Sequence, residues 1–286
     1  MTRLTRYSHD GLTFEVLDEG PEDGEVVVLL HGFPERASCW REVAPVLHAQ
    51  GYRTLAPDQR GYSVGARPRR RRDYRTTLLA GDVAALVAAA REVAPGAADG
   101  VHLVGHDWGA IVAWVTALRH PALVRTLVAV SVPHPEAFLK ALVTSRQFLR
   151  SWYMAMFQLP VLPERLGARR GGFFEAMLAR TGMDADDLAR FRSEIVDHGA
   201  LPGGLAWYRA LPFLDRSLIG ARVTQPTTLV WSDGDDALDR AGVLRTEQHV
   251  EGPYELVILE GEDHWIPTHA PQPLAEAILV RVGARA

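Results

Sequence analysis

The sequence predicts an α/β fold, with a mostly parallel central sheet flanked by helices. Two observations lead to this prediction. Short apolar runs alternate with stretches of helical spacing along the 286 residues. The runs are also almost continuously apolar, which is typical of strands buried on both faces of a parallel sheet. In such sheets, ligands bind beyond the carboxyl ends of the strands.

Six apolar runs are interpreted as buried strands. The intervals between them show helical spacing, most clearly in RTTLLAGDVAALVAAAREVA at 75–94. Right-handed crossovers should connect the parallel strands, since that hand is nearly universal for such connections. The predicted strands span 25–32, 53–58, 101–107, 126–133, 227–235 and 255–261.

One long interval interrupts this alternation. Between the predicted strands at 126–133 and 227–235, the chain is rich in aromatic residues and helix formers, as in FLRSWYMAMFQLP and LAWYRALPFL. The sheet pattern resumes afterwards, so the interval is interpreted as an insertion and not as an independent domain. The sequence therefore predicts a core formed by 1–135 and 218–286, with a helical cap formed by 136–217 over the catalytic edge of the sheet.

Composition narrows the classes of function. Hydrophobic residues make up 47% of the chain and charged residues 23%, which is typical of a globular protein. The net charge of −4 gives no reason to expect nucleic acid or a membrane surface as a partner. The basic run RPRRRRDYR at 67–75 is interpreted as a solvated surface loop. Both a monomer and a homodimer are compatible with the sequence.

The sequence contains no recognisable motif for binding a metal or a phosphate group. Cys39 is the single cysteine, which excludes an internal disulfide and a thiol metal cluster. GARRGG at 167–172 lacks the Lys-Ser/Thr ending of a phosphate-binding loop, so we expect neither a metal nor a cofactor. The first residues, MTRLTRYSHDG, lack the apolar core of a signal peptide, and no apolar run approaches the length of a membrane span. A cytoplasmic protein is expected.

VGHDWGA at 104–110 has the layout of a nucleophile elbow, G-x-S-x-G, with Asp107 at the position that serine usually occupies. An apolar run precedes the motif and a helical stretch follows it. An isolated aspartate before a helix commonly serves as an N-cap. Here Gly105 and Gly109 flank the residue and permit the close packing of an elbow, so Asp107 is predicted to be a nucleophile.

Other strand ends also carry polar residues that a sheet does not require. HGFPE at 31–35, DGDD at 233–236 and EDHW at 262–265 each follow a predicted strand. An aspartate, a second acid and a histidine then occur in the chain order of a hydrolase triad. His264 is the candidate base, and an aspartate of the DGDD group would orient its imidazole.

With these motifs the chain resembles the epoxide hydrolase branch of the α/β-hydrolases, over nearly its full length. HGFPE, GHDWG, the SWY and WYR of the cap and the DHW near the C-terminus match that family's pattern. The resemblance implies an α/β-hydrolase fold with Asp107 as the nucleophile. In the family the acid lies four residues after the strand-end position of Trp231, which selects Asp235, with Asp236 as the alternative.

The same resemblance implies roles for the loop that carries HGFPE. Backbone N–H groups of Phe33 and Trp108 would form the oxyanion hole, and Phe33–Pro34 would be a cis peptide. His31 would hold the loop by hydrogen bonding. Glu35 would either orient the hydrolytic water or stabilise the loop, and the sequence leaves both roles open.

Two cap tyrosines, Tyr153 and Tyr208, match the positions from which the family directs two phenols at the epoxide oxygen. Opening an epoxide leaves a basic alkoxide, which a phenol with a pKa of about 10 can protonate. Apolar cap residues, among them Trp152 and Phe157, indicate a small hydrophobic epoxide as the substrate, with water as the second reactant.

Three alternatives to an epoxide hydrolase of broad substrate range remain open at this point. A haloalkane dehalogenase shares the aspartate nucleophile and the tryptophan after it, but its halide requires N–H donors, of which Trp152 could supply one. A biosynthetic enzyme could open one epoxide within a pathway. A non-catalytic binding protein of the same fold is the third alternative, although no member of the triad is missing.

Overall fold

The computed structural model describes residues 2–213, 215 and 218–283. Within these residues, the strands form one sheet whose bounds are β1 Arg6–His9, β2 Leu12–Glu19, β3 Val26–Leu30, β4 Arg53–Pro57, β5 Val101–His106, β6 Val124–Val130, β7 Thr227–Ser232 and β8 Tyr254–Leu259. The spatial order is β1-β2-β4-β3-β5-β6-β7-β8. Strands β3 to β8 are parallel, whereas β2 pairs antiparallel with both β1 and β4. The predicted mostly parallel sheet is confirmed.

The first two strands were not predicted, whereas each of the six predicted runs overlaps one strand of the sheet. Strands β1 and β2 form a hairpin whose turn residues, Asp10 and Gly11, have φ values of 48° and 74°. An Asp-Gly pair is a strong hairpin signal, since both positions need positive φ. Polar residues on the exposed face of β2 hide its apolar pattern, because only Phe14 and Val16 of that strand are buried.

The helices lie on both faces of the sheet and in the long interval between β6 and β7. Their bounds are α1 Ala44–Ala49, α2 Thr76–Val93, α3 Trp108–Arg119, α4 Pro135–Thr144, α5 Gln147–Arg150, α6 Trp152–Phe157, α7 Leu162–Ala168, α8 Phe173–Arg180, α9 Ala185–Arg190, α10 Leu201–Arg209, α11 Arg240–Arg245, α12 Ile266–His269 and α13 Pro271–Gly283. A π-helical turn, Phe191–Asp197, follows α9. None of the described helices has the length and apolar character required to cross a membrane.

Strand β3 shows how the two sheet faces are covered. Val26, Val28 and Leu30 pack into the cluster that contains α2 and α3. Val27 and Leu29 pack into a second cluster, with α1 and α13. Because consecutive side chains of a strand point to opposite faces, both faces must be apolar, which explains the continuous apolar run in the sequence.

The interval between β6 and β7 contains α4 to α10, and no strand occurs in its described residues. Helix α10 lies directly against the loop after β4. The indole N–H of Trp207 donates to the backbone oxygen of Arg60 at 2.7 Å, and a Cβ on Gly203 would lie 2.2 Å from the oxygen of Gly61. The predicted end of the cap, Ser217, lies outside the described residues. We refer to 136–217 as the helical segment.

Helix α3 begins against strand β3 with almost no space between the two backbones. A Cβ on Gly109 would lie 2.1 Å from the oxygen of Leu30 and 2.6 Å from that of His31. Backbone atoms of a buried strand cannot move aside as a flexible side chain can. Glycine at 109 therefore allows α3 to start directly beneath the carboxyl edge of the sheet.

Gly109→Ala should destabilise the protein strongly, because overpacking against buried backbone costs about 1–3 kcal/mol or more. We expect the thermal midpoint to fall by about 4 °C or more, measured by circular dichroism. Gly283→Ala is the control, since nothing lies within 4 Å of the position of its added Cβ. Equal midpoints for the two variants would show that the contact of α3 with β3 is not restrictive.

Candidate active site

The elbow residue Asp107 joins β5 to α3 in a conformation that L-residues rarely adopt. Its backbone has φ 51° and ψ −121°. The surrounding backbone is tightly packed, since a Cβ on Gly105 would lie 2.2 Å from the oxygen of Gly109. Strained conformations of this kind persist only where packing enforces them, and they cluster at functional sites. The turn presents the Asp107 carboxylate at the carboxyl edge of the sheet.

The Asp107 carboxylate contacts one predicted oxyanion-hole residue and the predicted base. Its Oδ1 accepts a hydrogen bond from the backbone N–H of Phe33 at 2.7 Å, and its Oδ2 lies 3.5 Å from Nε2 of His264. Burial raises the pKa of Asp107, but the hydrogen bond and charge of His264 lower it by more, with a smaller contribution from the hydrogen bond of Phe33. The net pKa is below its usual value, so the carboxyl group of this predicted nucleophile is ionised.

Trp108, the other predicted oxyanion-hole residue, is the first residue of α3. The first N–H groups of a helix have no partner within the helix, so they are available to a ligand. Phe33 therefore contacts the Asp107 carboxyl group directly, and Trp108 follows Asp107 in the chain with a backbone N–H that has no partner within the helix.

Asp235, and not Asp236, faces the histidine. The Nδ1–H of His264 donates to Oδ2 of Asp235 at 2.8 Å. The Asp235 side chain is fully buried, and its Oδ1 accepts from the backbone N–H groups of Ala237 and Leu238 at 2.7 and 3.0 Å. The Asp236 side chain is 73% exposed and lies 4.0 Å from Arg150. Geometry thus favours the first of the two acids that the sequence left open.

The pKa of His264 is well above its usual value. Burial lowers this pKa, but the charges of Asp235 and Asp107, together with their hydrogen bonds, raise it by more. The imidazole is therefore protonated when both carboxylates are ionised. Removal of either negative charge would lower the pKa of His264 again.

His106, the histidine of the elbow motif, supports the backbone of His264. Its Nε2 lies 2.9 Å from the backbone oxygen of His264, and its Nδ1 lies 3.2 Å from Oε2 of Glu35. The hydroxyl of Ser131 also donates to the His264 oxygen at 3.2 Å. Glu35 is therefore connected to the backbone of His264 through His106, a contact compatible with the predicted loop-stabilising role.

The HGFPE loop is held by His31. The backbone N–H of Gln59 donates to Nε2 of His31 at 3.1 Å, and Nδ1 of His31 lies 2.9 Å from the oxygen of Gly32. Burial lowers the pKa of His31, in agreement with a neutral ring. The Phe33–Pro34 peptide is cis, as predicted.

Both predicted cap tyrosines lie in the same cavity as Asp107. The rings of Tyr153 and Tyr208 are 6.0 Å apart, and Trp108 packs edge-on against Tyr208 at 5.0 Å. Burial and the charge of Asp107 contribute to raising the pKa of each phenol, so both remain protonated. The cavity has a volume of about 60 Å³ and is lined by Phe33, Pro34, Asp107, Tyr153, Phe157, Met177, Leu178, Thr181, Tyr208, Ala237, His264 and Trp265.

Two predicted substrate-contacting residues of the cap differ in their placement. Phe157 is buried in the cavity wall, with its ring 4.9 Å from that of Tyr208. Trp152 is half exposed and lines an outer cavity of about 400 Å³, which shares Tyr153 with the inner one. The structure therefore places Trp152 at the entrance and not beside Asp107.

Several lining residues were not identified from the sequence. Met177, Leu178 and Thr181 belong to α8 and the loop after it, and Ala237 lies two residues after Asp235. These residues occur in no chemical motif, so only the folded arrangement identifies them. Trp265 directly follows His264 in the DHW motif, and this adjacency is a signal that could have identified it.

Comparison with known proteins agrees with this geometry. The model of a family described as the alpha/beta hydrolase fold matches residues 25–268. AB hydrolase superfamily protein YfhM of Bacillus subtilis (strain 168) is 32% identical, with 94% of each chain covered. Epoxide hydrolase 3 of Xenopus tropicalis is also 32% identical, with 96% of this chain and 75% of that protein covered.

A solved structure shows the same fold. The crystal structure of Epoxide Hydrolase A from Mycobacterium thermoresistibile aligns with a TM-score of 0.80 at 27% identity, and it covers 98% of this chain and 97% of the other. Sequence similarity to these relatives extends over almost the whole chain, including the sheet, the elbow and the helical segment between β6 and β7. The chain belongs to the α/β-hydrolase fold family, within its epoxide hydrolase branch.

Proposed function

We propose that this protein hydrolyses a small hydrophobic epoxide to a vicinal diol, with Asp107 as the nucleophile and the helical segment as a cap. One observation carries the proposal. The phenols of Tyr153 and Tyr208 share a cavity with the ionised carboxylate of Asp107, and His264 lies beside that carboxylate. Relatives named epoxide hydrolases support the same activity.

In the first step, a carboxylate oxygen of Asp107 attacks an epoxide carbon and the C–O bond breaks. A phenol of Tyr153 or Tyr208 donates its proton to the leaving oxygen, which becomes a hydroxyl group. The product is a hydroxyalkyl ester of Asp107. Serine at this position would form an ether with the same carbon, and the site could not hydrolyse it, whereas an ester can be cleaved by water.

Ester formation removes the negative charge of Asp107, which is one of the causes that raise the pKa of His264. The imidazole then releases its proton, which replaces the proton lost by the phenol. Neutral His264, oriented by Asp235, can accept a proton from water. Loss of one charge thus converts His264 from an acid to a base between the two steps.

In the second step, water activated by His264 attacks the ester carbonyl carbon of Asp107. The N–H groups of Phe33 and Trp108 stabilise the oxygen of the tetrahedral intermediate. Collapse of the intermediate releases the diol, restores the Asp107 carboxylate and leaves His264 protonated. The proton balance closes, so one epoxide and one water are consumed for each diol.

A haloalkane dehalogenase would use the same nucleophile, but its requirements are poorly met. A departing halide is stabilised by N–H donors, and two phenols face Asp107 instead. Trp152, which could have supplied a donor, is half exposed at the outer cavity. These contacts favour the epoxide over the haloalkane as the substrate.

Replacing the base should trap the intermediate. His264→Gln is expected to form the ester on Asp107 but not to hydrolyse it, because no group remains to activate water. Intact-protein mass spectrometry after incubation with styrene oxide should show a mass increase equal to that of the epoxide. The double variant His264→Gln/Asp107→Ala should show none. An unmodified His264→Gln protein with every epoxide tried would contradict the two-step mechanism.

Removing the phenols should slow ring opening. Tyr153→Phe and Tyr208→Phe should each lower the rate of ester formation about tenfold or more, and the double variant by about 100-fold or more, because proton donation to the alkoxide is lost. Single-turnover measurements provide the rate. Tyr254→Phe, on strand β8, is the matched control. A double variant with the rate of the unmodified protein would exclude the phenols from the reaction.

Substrate screening separates the two candidate activities. With styrene oxide, an aliphatic epoxide and a bromoalkane as probes, we expect diol from at least one epoxide and no bromide release. Diol is measured by gas chromatography and bromide by ion chromatography. Bromide release without diol formation would replace the proposed activity by dehalogenation.

A further inference from the structure

A second histidine lies between two carboxylates, outside the triad. Nδ1 of His269 is 2.7 Å from Oδ2 of Asp263, and its Nε2 is 2.7 Å from Oδ2 of Asp187. Ionised carboxylate oxygens only accept hydrogen bonds, so both ring nitrogens donate and the ring is an imidazolium. The hydrogen bond to Asp263 raises the pKa of His269 to about 9 in spite of partial burial, and Asp187 contributes in the same direction.

The two carboxylates belong to different parts of the fold. Asp263 directly precedes His264, and its Oδ1 accepts a hydrogen bond from the backbone N–H of Trp265 at 2.8 Å. Asp187 lies in α9 of the helical segment, where it also bonds Arg190. His269 therefore connects the helical segment to the loop that carries His264.

A second contact between the same parts lies beside the reaction cavity. The indole N–H of Trp265 donates to Oγ1 of Thr181 at 3.2 Å, and both residues line that cavity. A Cβ on Gly182 would lie 2.0 Å from Oδ2 of Asp263, so the α8–α9 loop rests directly on the His264 loop. Movement of one loop would therefore displace the other.

Two further charged side chains lie near His269, one acidic and one basic. Asp184 is the third acid near it, and Arg190 is the cation that pairs with Asp187. Helix α12, which ends at His269, also packs on the 3-10 helix Ala37–Trp40 and on α13. In this 3-10 helix, Cys39 is the only ionisable side chain. In α13, the charged side chains have other partners: Glu276 bonds Gln272, and Arg281 bonds Thr228 and Glu255.

The ligand atoms of Asp184, Asp187 and His269 lie within 4.8 Å of one another, a spacing that also suits a metal ion. A histidine binds a metal through a lone pair of a neutral ring. Both nitrogens of His269 already lie at hydrogen-bond distance from carboxylates, which favours an ionic bridge over a metal site.

We propose that His269 is a positioning residue, which couples the position of the helical segment to the placement of His264 by bonding Asp187 and Asp263 together. The proposal rests on the two-step function above, since it assigns His264 to the hydrolysis step. Tyr208 is held independently, because its helix α10 is bonded to the core through Trp207 and Arg60, and α6, which carries Tyr153, packs on α10. Loss of the bridge should therefore slow hydrolysis more than ring opening.

The bridge has a defined pH dependence. The pKa of His269 is about 9 in the folded protein and about 6.5 in an unfolded chain. Because the folded pKa is raised, the stability that the bridge contributes is fully present below the unfolded value, and the bridge is lost as the pH rises through the folded value. Alkaline pH should therefore slow hydrolysis in the unmodified protein by the same route as a substitution.

The test compares Asp187→Asn and His269→Ala with Asp186→Asn, an exposed neighbour on α9. Rapid-quench mass spectrometry with styrene oxide resolves ester formation from ester hydrolysis. In the first two variants we expect hydrolysis about tenfold slower, formation changed less than about twofold and ester accumulating at steady state, because a charge-assisted hydrogen bond is lost. The decline of hydrolysis near pH 9 should also disappear from His269→Ala.

Hydrogen exchange gives a second measurement that does not depend on catalysis. His269→Ala should exchange faster in both 181–190 and 262–268, whereas Asp186→Asn should not. Equal slowing of both chemical steps, or unchanged exchange in these two segments, would overturn the bridge. If neither the unmodified protein nor His264→Gln forms an ester with any epoxide, the proposed function fails, and hydrogen exchange still decides whether the bridge exists.

Discussion

The pair of buried carboxylates that share the imidazole of His264 is the interaction on which the site depends. Asp235 is fixed by backbone N–H groups, whereas Asp107 stands on a strained turn and lines the cavity. The imidazole is protonated only while both charges persist. In the proposed mechanism, ester formation at Asp107 therefore lowers the proton affinity of the ring, without any change of conformation.

The fold brings these groups together through its parallel strands. Strands β5, β7 and β8 end at one edge, and the elbow, the acid and the histidine each follow one of them. The helical segment then closes this edge and adds the two phenols. Because it also bonds the His264 loop through His269, the segment that carries the two tyrosines is physically connected to the loop that carries the proposed base.

Much of this arrangement could be predicted from residues alone, for physical reasons. The six buried strands are visible because both faces of a parallel sheet must be apolar. The sequence does not reveal strand β2, because buried and exposed residues alternate in it next to a polar hairpin turn. The choice between Asp235 and Asp236 needed the structure, since neighbouring residues of a loop point in different directions and spacing alone does not reveal which one meets the histidine.

The sequence by itself determined the class of fold, the order of the candidate reactive groups and the kind of bond that Asp107 would form as a nucleophile. These depend on local patterns and on the chemistry of single side chains. The tertiary structure decided which groups share a cavity, that Trp152 stays at the entrance, and that Asp187, Asp263 and His269 form one ionic bridge. Asp187 and Asp263 are far apart along the chain, so only packing of the helical segment on the core brings them to one imidazole.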